Sequence, residues 1–201
     1  MESGLVNKII LSAAVAVMSV LCACSGEEMD EYAETTLAVG KRGEISERII
    51  ESFDKDYYDL GELQSEFESS VSEYNGSIGG DEIKLGKIEL NGTTLTVDLK
   101  YTGPSDYENF TGERLFVGTI ADACDEGYSM DVTLKGVESG DKIGRVQIMG
   151  MINSNIIILS EHVRVKAFDD IAYVSANVDV IGDSEARVLS ESDGLAYIIL
   201  K

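Results

Sequence analysis

The clearest helical pattern in the chain covers residues 60–75. Apolar residues recur there at steps of three and four positions, and they are Leu60, Leu63, Phe67, Val71 and Tyr74. Such spacing places one apolar stripe along a helix. Asp59 with Glu62 three positions later forms a typical N-terminal capping pair, and Asn75-Gly76 is a typical helix end. The sequence therefore predicts one long amphipathic helix that packs against a sheet.

An alternating pattern surrounds Asn91-Gly92, a dipeptide typical of a two-residue hairpin turn. The apolar positions change phase within the first strand, because Leu85 is odd-numbered and Ile88 is even-numbered. One extra residue in that strand restores a single apolar face. The pattern therefore predicts a β-bulge at Gly86-Lys87 that places Leu85 opposite Val97.

Short apolar runs separated by turn residues continue from residue 129 to the C-terminus. Their close spacing favours a C-terminal β-meander over parallel crossovers. The run 156–159 is apolar on both faces and predicts a central strand that is covered on both sides. Residues 115–125 fit either a strand or a helix, and we adopt a second helix over about 116–126. The fold class is therefore α+β, built predominantly on antiparallel β-sheet.

The N-terminal region contains an apolar run, residues 9–21, that ends in the motif Leu-Cys-Ala-Cys at 21–24. As a helix this run rises about 20 Å, which is short of the roughly 30 Å hydrocarbon core of a bilayer. The motif resembles a bacterial lipobox, whose cysteine receives a diacylglycerol. We therefore expect a lipoprotein signal peptide over 1–23 and lipidation of Cys24. A plain signal peptide, or modification of Cys22, remains an alternative.

Residues 24–36 are acidic and poor in apolar side chains, and we expect them to form a flexible tether. A single α+β domain is expected to follow over 37–201. The net charge of −21 argues against a nucleic-acid partner, because phosphates attract Lys and Arg. Once Cys24 carries lipid and the signal is removed, Cys124 is the last thiol, so no intramolecular disulfide is expected.

The candidate chemistry is sparse, and the sequence predicts no catalytic, cofactor-binding or metal-binding residue. The single histidine, His162, follows Glu161, and one histidine does not supply the usual zinc ligands. Acidic clusters are expected by chance in a chain with 37 acidic residues, although calcium binding remains an alternative. They are Asp54 and Asp56 with Asp59, then Asp122 with Asp125 and Glu126, and Asp169 with Asp170.

The tyrosines offer a second candidate for ligand contact. Tyr57-Tyr58, and Tyr101 with Tyr107, could line a sugar-binding or peptide-binding surface. Tyrosines of this kind are more often half-buried at the edge of a sheet or helix, because one end of the ring is apolar and the other polar. We therefore favour a structural role for these tyrosines, and a ligand-binding surface remains the alternative.

Three segments resemble parts of uncharacterised lipid-anchored lipoproteins of Clostridia and related Gram-positive bacteria. They are residues 53–60 (Phe-Asp-Lys-Asp-Tyr-Tyr-Asp-Leu), 73–75 (Glu-Tyr-Asn) and 194–199 (Gly-Leu-Ala-Tyr-Ile-Ile). The resemblance spans most of the chain after the signal peptide. It implies a Gram-positive cell envelope and names no activity.

These observations lead us to expect a lipid-anchored protein on the extracellular face of the cell membrane. We expect a non-enzymatic binding or interaction module, held by its lipid, whose partner is an envelope protein or glycan. A lipoprotein that binds a small solute or a cation is the first alternative. An anchored hydrolase is the second, and it lacks an identifiable pair of nucleophile and base.

Overall fold

A computed structural model of the protein describes residues 29–55, 58–190 and 194–201. The predicted signal peptide over 1–23 and the predicted lipidation site Cys24 lie outside the described residues. None of the described helices has both the length and the apolar character needed to cross a membrane.

Helices and strands alternate irregularly, and strands dominate. The strands are β1 Thr36–Val39, β2 Ile45–Ser52, β3 Ile83–Asn91, β4 Thr94–Tyr101, β5 Leu115–Thr119, β6 Leu134–Gly136, β7 Lys142–Ile143, β8 Asn155–Leu159, β9 Arg164–Lys166, β10 Ile171–Ser175, β11 Val178–Gly182, β12 Glu185–Val188 and β13 Ala196–Leu200. The helices are a 3₁₀ helix Met29–Glu31, α1 Leu60–Ile78, α2 Pro104–Thr111, α3 Ile120–Asp125 and α4 Arg145–Met149. The predicted α+β class is confirmed.

The strands form two sheets. Sheet 1 has the order β11-β12-β9-β1-β2-β4-β3, and sheet 2 has the order β5-β8-β13-β10-β6-β7. The pairing of β1 with β9 is parallel, whereas the others in these two orders are antiparallel. The C-terminal strands depart from the predicted β-meander, because β9, β11 and β12 join sheet 1 while β8, β10 and β13 join sheet 2. Each short apolar run can be buried equally well in either sheet, so local pattern does not decide which one it joins.

The core fills both sides of sheet 2. Ile157 and Ile198 pack toward sheet 1 with residues such as Leu37 and Val97. Ile156 and Ile158 point the other way and pack against helices α3 and α4 through Ile120, Ala123 and Ile148. Strand β8 lies between β5 and β13 and is fully buried from Ile156 to Leu159. The predicted central, doubly covered strand is confirmed.

The hairpin of β3 and β4 contains the predicted bulge, since the register shifts between Leu85 and Ile88. Its turn lies one residue later than expected, because Asn91 pairs with Thr94 and leaves Gly92-Thr93 as the turn. Gly92 has φ 62°, a left-handed conformation that glycine adopts without strain. Leu85 consequently lies opposite Leu99 and not Val97. The cross-strand partner of Leu85 is thus displaced by two positions. Because side chains alternate between faces with a period of two, every side chain stays on its predicted face.

Helix α1 begins as predicted, with the Asp59 carboxylate accepting a 2.9 Å hydrogen bond from the backbone N–H of Glu62. Its predicted end at Asn75-Gly76 is wrong, because the helix continues to Ile78 and is closed by Gly79 at φ 80°. The Asn75 side chain instead donates to the Ile83 carbonyl at 2.8 Å and accepts from the Ile83 N–H at 3.0 Å. It therefore joins the helix to β3.

The second predicted helix, over about 116–126, is present only in its second half. Residues 115–119 form β5, in which Phe116 pairs with Ile158 of β8. Thr119 then begins α3, because its hydroxyl accepts from the Asp122 N–H while the Asp122 carboxylate accepts from the Thr119 N–H. The strand pattern and the helix pattern of this segment are therefore both present, the strand over 115–119 and the helix over 120–125.

Candidate functional site

A short segment ahead of β1, residues 29–35, crosses the outer face of sheet 1, and we call it the N-terminal strap. Met29 and Tyr32 are buried there against Ala38. Thr35 ties the strap to β2, since its hydroxyl accepts from the Ile50 N–H at 3.0 Å. The prediction of a flexible tether over 24–36 is therefore wrong for the described part, which packs as part of the domain.

Ion pairs hold the strap to the sheet. Asp30 lies 2.7 Å from the Arg48 guanidinium, and Glu34 lies 2.6 Å from that of Arg187 and 3.2 Å from that of Arg164. The Arg164 guanidinium also stacks over the Tyr32 ring, 4.8 Å from its centroid. These arginines hold the pKa values of Asp30 and Glu34 below their usual range, chiefly through the hydrogen bonds that they donate.

Arg48 is the most deeply placed of these cations, with only 5% of its side chain exposed. It donates two hydrogen bonds to the Asp98 carboxylate on the neighbouring strand β4, at 2.8 and 2.7 Å. These bonds raise the pKa of Arg48 further above its usual value. This bidentate contact fixes the relative orientation of the two side chains in addition to pairing their charges.

The same face of sheet 1 gathers basic residues in a strongly acidic protein. Cross-strand pairing places six basic side chains on this face, and they are Arg48, Lys84, Lys100, Arg164, Lys166 and Arg187. A seventh, Lys87, lies at the edge of the face beside Asp30. They are seven of the 16 Lys and Arg residues in a chain of net charge −21. Five of these cations pair with Asp30, Glu34, Asp98 and Glu185, so charges of both signs offset one another on this face, which we call the strap face.

A buried acid, Glu47, and a half-buried one, Glu161, lie on the opposite side of sheet 1. Glu47 is only 4% exposed, and its carboxylate accepts a 2.6 Å hydrogen bond from the Tyr101 hydroxyl. Burial raises the pKa of Glu47 to about 7; the charge of Glu161 also raises it, while the hydrogen bond from Tyr101 works in the other direction. Desolvation favours the uncharged acid, as expected for a carboxyl group in a core.

Glu161 completes this arrangement from the connection between β8 and β9. Its carboxylate accepts a hydrogen bond from the hydroxyl of Tyr107, which lies on α2. The rings of Tyr101 and Tyr107 meet edge to face with centroids 5.2 Å apart. Burial raises the pKa of Glu161, opposed by the Tyr107 hydrogen bond and the nearby His162. The two acids and two tyrosines therefore link sheet 1 and α2 to the connection between β8 and β9.

Tyr101 and Tyr107 are 2% and 1% exposed, so this pair does not form the alternative ligand-binding surface; both are core residues, more deeply buried than the half-buried edge positions that the sequence favoured. Sequence reasoning also missed Glu47. Its position in the sequence could have revealed it: Glu47 lies midway between Ile45 and Ile49, and the alternation of β2 predicts a core-facing residue there. A catalytic carboxylate must touch its substrate. Because Glu47 is only 4% exposed, its carboxylate is not placed to meet a substrate and instead joins β2 to β4 through Tyr101.

Two open grooves flank α1. The first, which we call the helix groove, has a volume of about 380 Å³ beside the N-terminal half of α1. Its acidic residues are Glu51, Asp59, Glu62 and Glu66, and its apolar residues are Phe53, Tyr58, Leu63 and Leu95. The second has a volume of about 680 Å³ and lies between the C-terminal half of α1 and β3.

The other candidate residues make local contacts within the fold or lie on its surface. Asp122 caps α3, and Asp170 pairs with Lys201 at 3.2 Å. His162 is exposed, while Cys124 is half-buried with its Sγ 3.8 Å from Met149 Sδ. Across residues 29–55, 58–190 and 194–201, no group of three or more His, Cys, Asp or Glu side chains could hold a metal ion. Asp56 and Tyr57 lie outside the described residues.

Comparison with known proteins adds no identification. No protein-family model, curated protein or solved structure matches this chain. The resemblance to lipoproteins of Clostridia therefore stays a prediction that rests on the segments quoted above.

Proposed function

We propose that the protein is a lipid-anchored, extracytoplasmic interaction module of a bacterial cell envelope. In this proposal Cys24 carries the lipid, and the domain binds a partner protein through the surface around α1 without catalysing a reaction. The motif at 21–24 supports the anchor. The arrangement of the strap and α1 supports the division between an anchored side and a binding side.

The observation that carries this proposal is that the strap and α1 lie on opposite faces of sheet 1. Asp30 of the strap pairs with Arg48, whose cross-strand neighbour is Asp98. Leu95 and Val97 alternate with Asp98 along β4 and point to the other face. Helix α1 covers that other face, where Leu63 and Leu95 line the same groove. The start of the domain and the groove are therefore separated by a sheet.

The short path from Cys24 to the domain supports one orientation of the domain on the bilayer. Five residues of extended chain span at most about 18 Å, so a lipid on Cys24 holds Met29 close to the membrane surface. The strap face would then point toward the bilayer and the helix groove away from it. The seven basic side chains on or beside the strap face reduce electrostatic repulsion from anionic lipid on that side.

The anchor is tested by a Cys24→Ser substitution in the native host, with Cys22→Ser as the matched control. We expect native protein to carry a diacylglyceryl mass at Cys24 and to fractionate with membranes. Cys24→Ser should lose both properties, because a two-chain anchor is what makes such attachment stable. Cys22→Ser should keep them. Membrane attachment that survives Cys24→Ser contradicts the proposal.

The orientation is tested by labelling intact cells with a membrane-impermeant maleimide in a Cys124→Ser background. A cysteine at Glu62 in the helix groove should label faster than one at Lys84 on the strap face, because the bilayer shields the latter. Solubilisation in detergent should make the two rates similar. Equal rates on intact cells would exclude the proposed orientation.

A further inference from the structure

The helix groove has walls of two kinds. On one side are stacked aromatic rings, since Phe53 and Tyr58 lie with centroids 4.7 Å apart and planes inclined by 30°. Leu63 of α1 and Leu95 of β4 add apolar surface. A groove of this type accepts the aliphatic part of a side chain, because burial of such surface from water is favourable.

Carboxylates surround this apolar surface. Glu51, Glu62 and Glu66 line the groove, and among the described residues no basic side chain forms an ion pair with them. This differs from the strap face, where Asp30 and Glu34 are paired with arginines. Asp59 also lines the groove, but its carboxylate already caps α1. The groove therefore offers three carboxylates for a positive charge supplied from outside.

We propose that the helix groove binds a basic segment of a partner protein, with a lysine or arginine side chain seated between the aromatic rings and the glutamates. This inference rests on the proposed function as an interaction module. The aliphatic stem packs on Leu63 and the rings, while the charged end meets Glu62 or Glu66. A cation over an aromatic face gains further attraction.

The size of the groove limits the occupant. A volume of about 380 Å³ suits a few side chains and not a folded domain. Three carboxylates repel nucleic acid, and an apolar wall offers little to a bare metal ion. A short segment that combines apolar residues with Lys or Arg is the occupant whose chemistry matches both kinds of wall.

The test uses the purified protein and a synthetic peptide of Lys and Leu that contains one Trp. The protein has no Trp, so the fluorescence of the peptide reports its own surroundings. We expect saturable binding with a blue shift of the Trp emission. The double variant Glu62→Gln/Glu66→Gln should weaken binding at least tenfold, and Phe53→Ala should reduce the blue shift.

The matched control is Glu73→Gln/Glu126→Gln, which removes the same two charges from exposed positions outside the groove. It should leave binding within twofold of native, and circular dichroism should show that all variants are folded. Equal weakening by both double variants would mean that the peptide senses only the net charge, which overturns the inference. Absence of binding overturns it too. Either result leaves the anchor to be judged separately, through Cys24→Ser.

Discussion

The hydroxyl of Tyr101 donates a 2.6 Å hydrogen bond to the carboxylate of Glu47 between the two sheets, where both side chains are almost fully buried. Burial raises the pKa of Glu47 from 4.5 to about 7. Between these values the folded protein holds a proton that the unfolded chain releases. The contribution of Glu47 to stability is therefore full below about pH 4.5 and is lost as the pH rises toward 7.

The first prediction concerns Glu47→Gln. The amide resembles the protonated acid, so the variant should be as stable as native protein at pH 4. At pH 8 it should be more stable by roughly 3 kcal/mol, because it avoids an ionised carboxylate in the core. Urea unfolding at both pH values measures the difference. The exposed Glu73→Gln serves as control, and a similar pH dependence in both variants would contradict the role of Glu47.

A second prediction concerns the donor of that hydrogen bond. Tyr101→Phe removes the hydroxyl that lowers the pKa of Glu47, so that pKa should rise further. We expect a loss of about 2 kcal/mol in the free energy of unfolding at pH 8, and a smaller loss at pH 5, where Glu47 is protonated. The control is Tyr173→Phe, because Tyr173 is a half-buried tyrosine on β10. An equal loss at both pH values would refute the coupling.

The third prediction separates the two partners of Arg48. Asp98→Ala should lower the free energy of unfolding by about 3 kcal/mol, because it leaves a buried guanidinium without its two-pronged partner. Asp30→Ala should leave that free energy nearly unchanged, because the Asp30 side chain is 75% exposed. Denaturation in urea compares the two variants at pH 7. A larger effect of Asp30→Ala would show that the strap is the dominant support of Arg48.

A fourth prediction uses two glycines at the end of α1. Gly76 lies inside the helix, and a Cβ there meets nothing within 4 Å, so Gly76→Ala should stabilise the protein by about 1 kcal/mol. Gly79 has φ 80°, so Gly79→Ala should destabilise it by about 1 kcal/mol. Thermal unfolding measures whether each variant is more or less stable than native protein. If the helix ended at Gly76, as the sequence pattern predicts, the order of the two effects would be reversed.

Several local features could be predicted because they depend on residues close in the chain. The start of α1 follows from Asp59 and Glu62, and the bulge follows from the change of phase between Leu85 and Ile88. The end of α1 could not be predicted this way. Asn75 favours a helix end in isolation, but here its side chain bonds to the backbone of Ile83 in a neighbouring strand.

The candidate site was less predictable than the fold. Tyr107 and Glu161 are separated by 54 positions, as are Glu47 and Tyr101, so no short pattern connects them. The helix groove likewise joins residues of α1 to Glu51 and Leu95 on different strands. Only the position of Glu47 in the core-facing phase of β2 gave a local signal that this acid is unusual.

The sequence by itself determined the start of α1, the bulged hairpin of β3 and β4, the antiparallel α+β character and the doubly covered β8, because alternation and helical spacing act over a few residues. The tertiary structure decided which sheet each C-terminal strand joins, where the strap lies and which acids and tyrosines meet. These outcomes depend on contacts between distant segments. Two apolar runs of similar length gain the same free energy from burial, so only the packing of the whole domain distinguishes them.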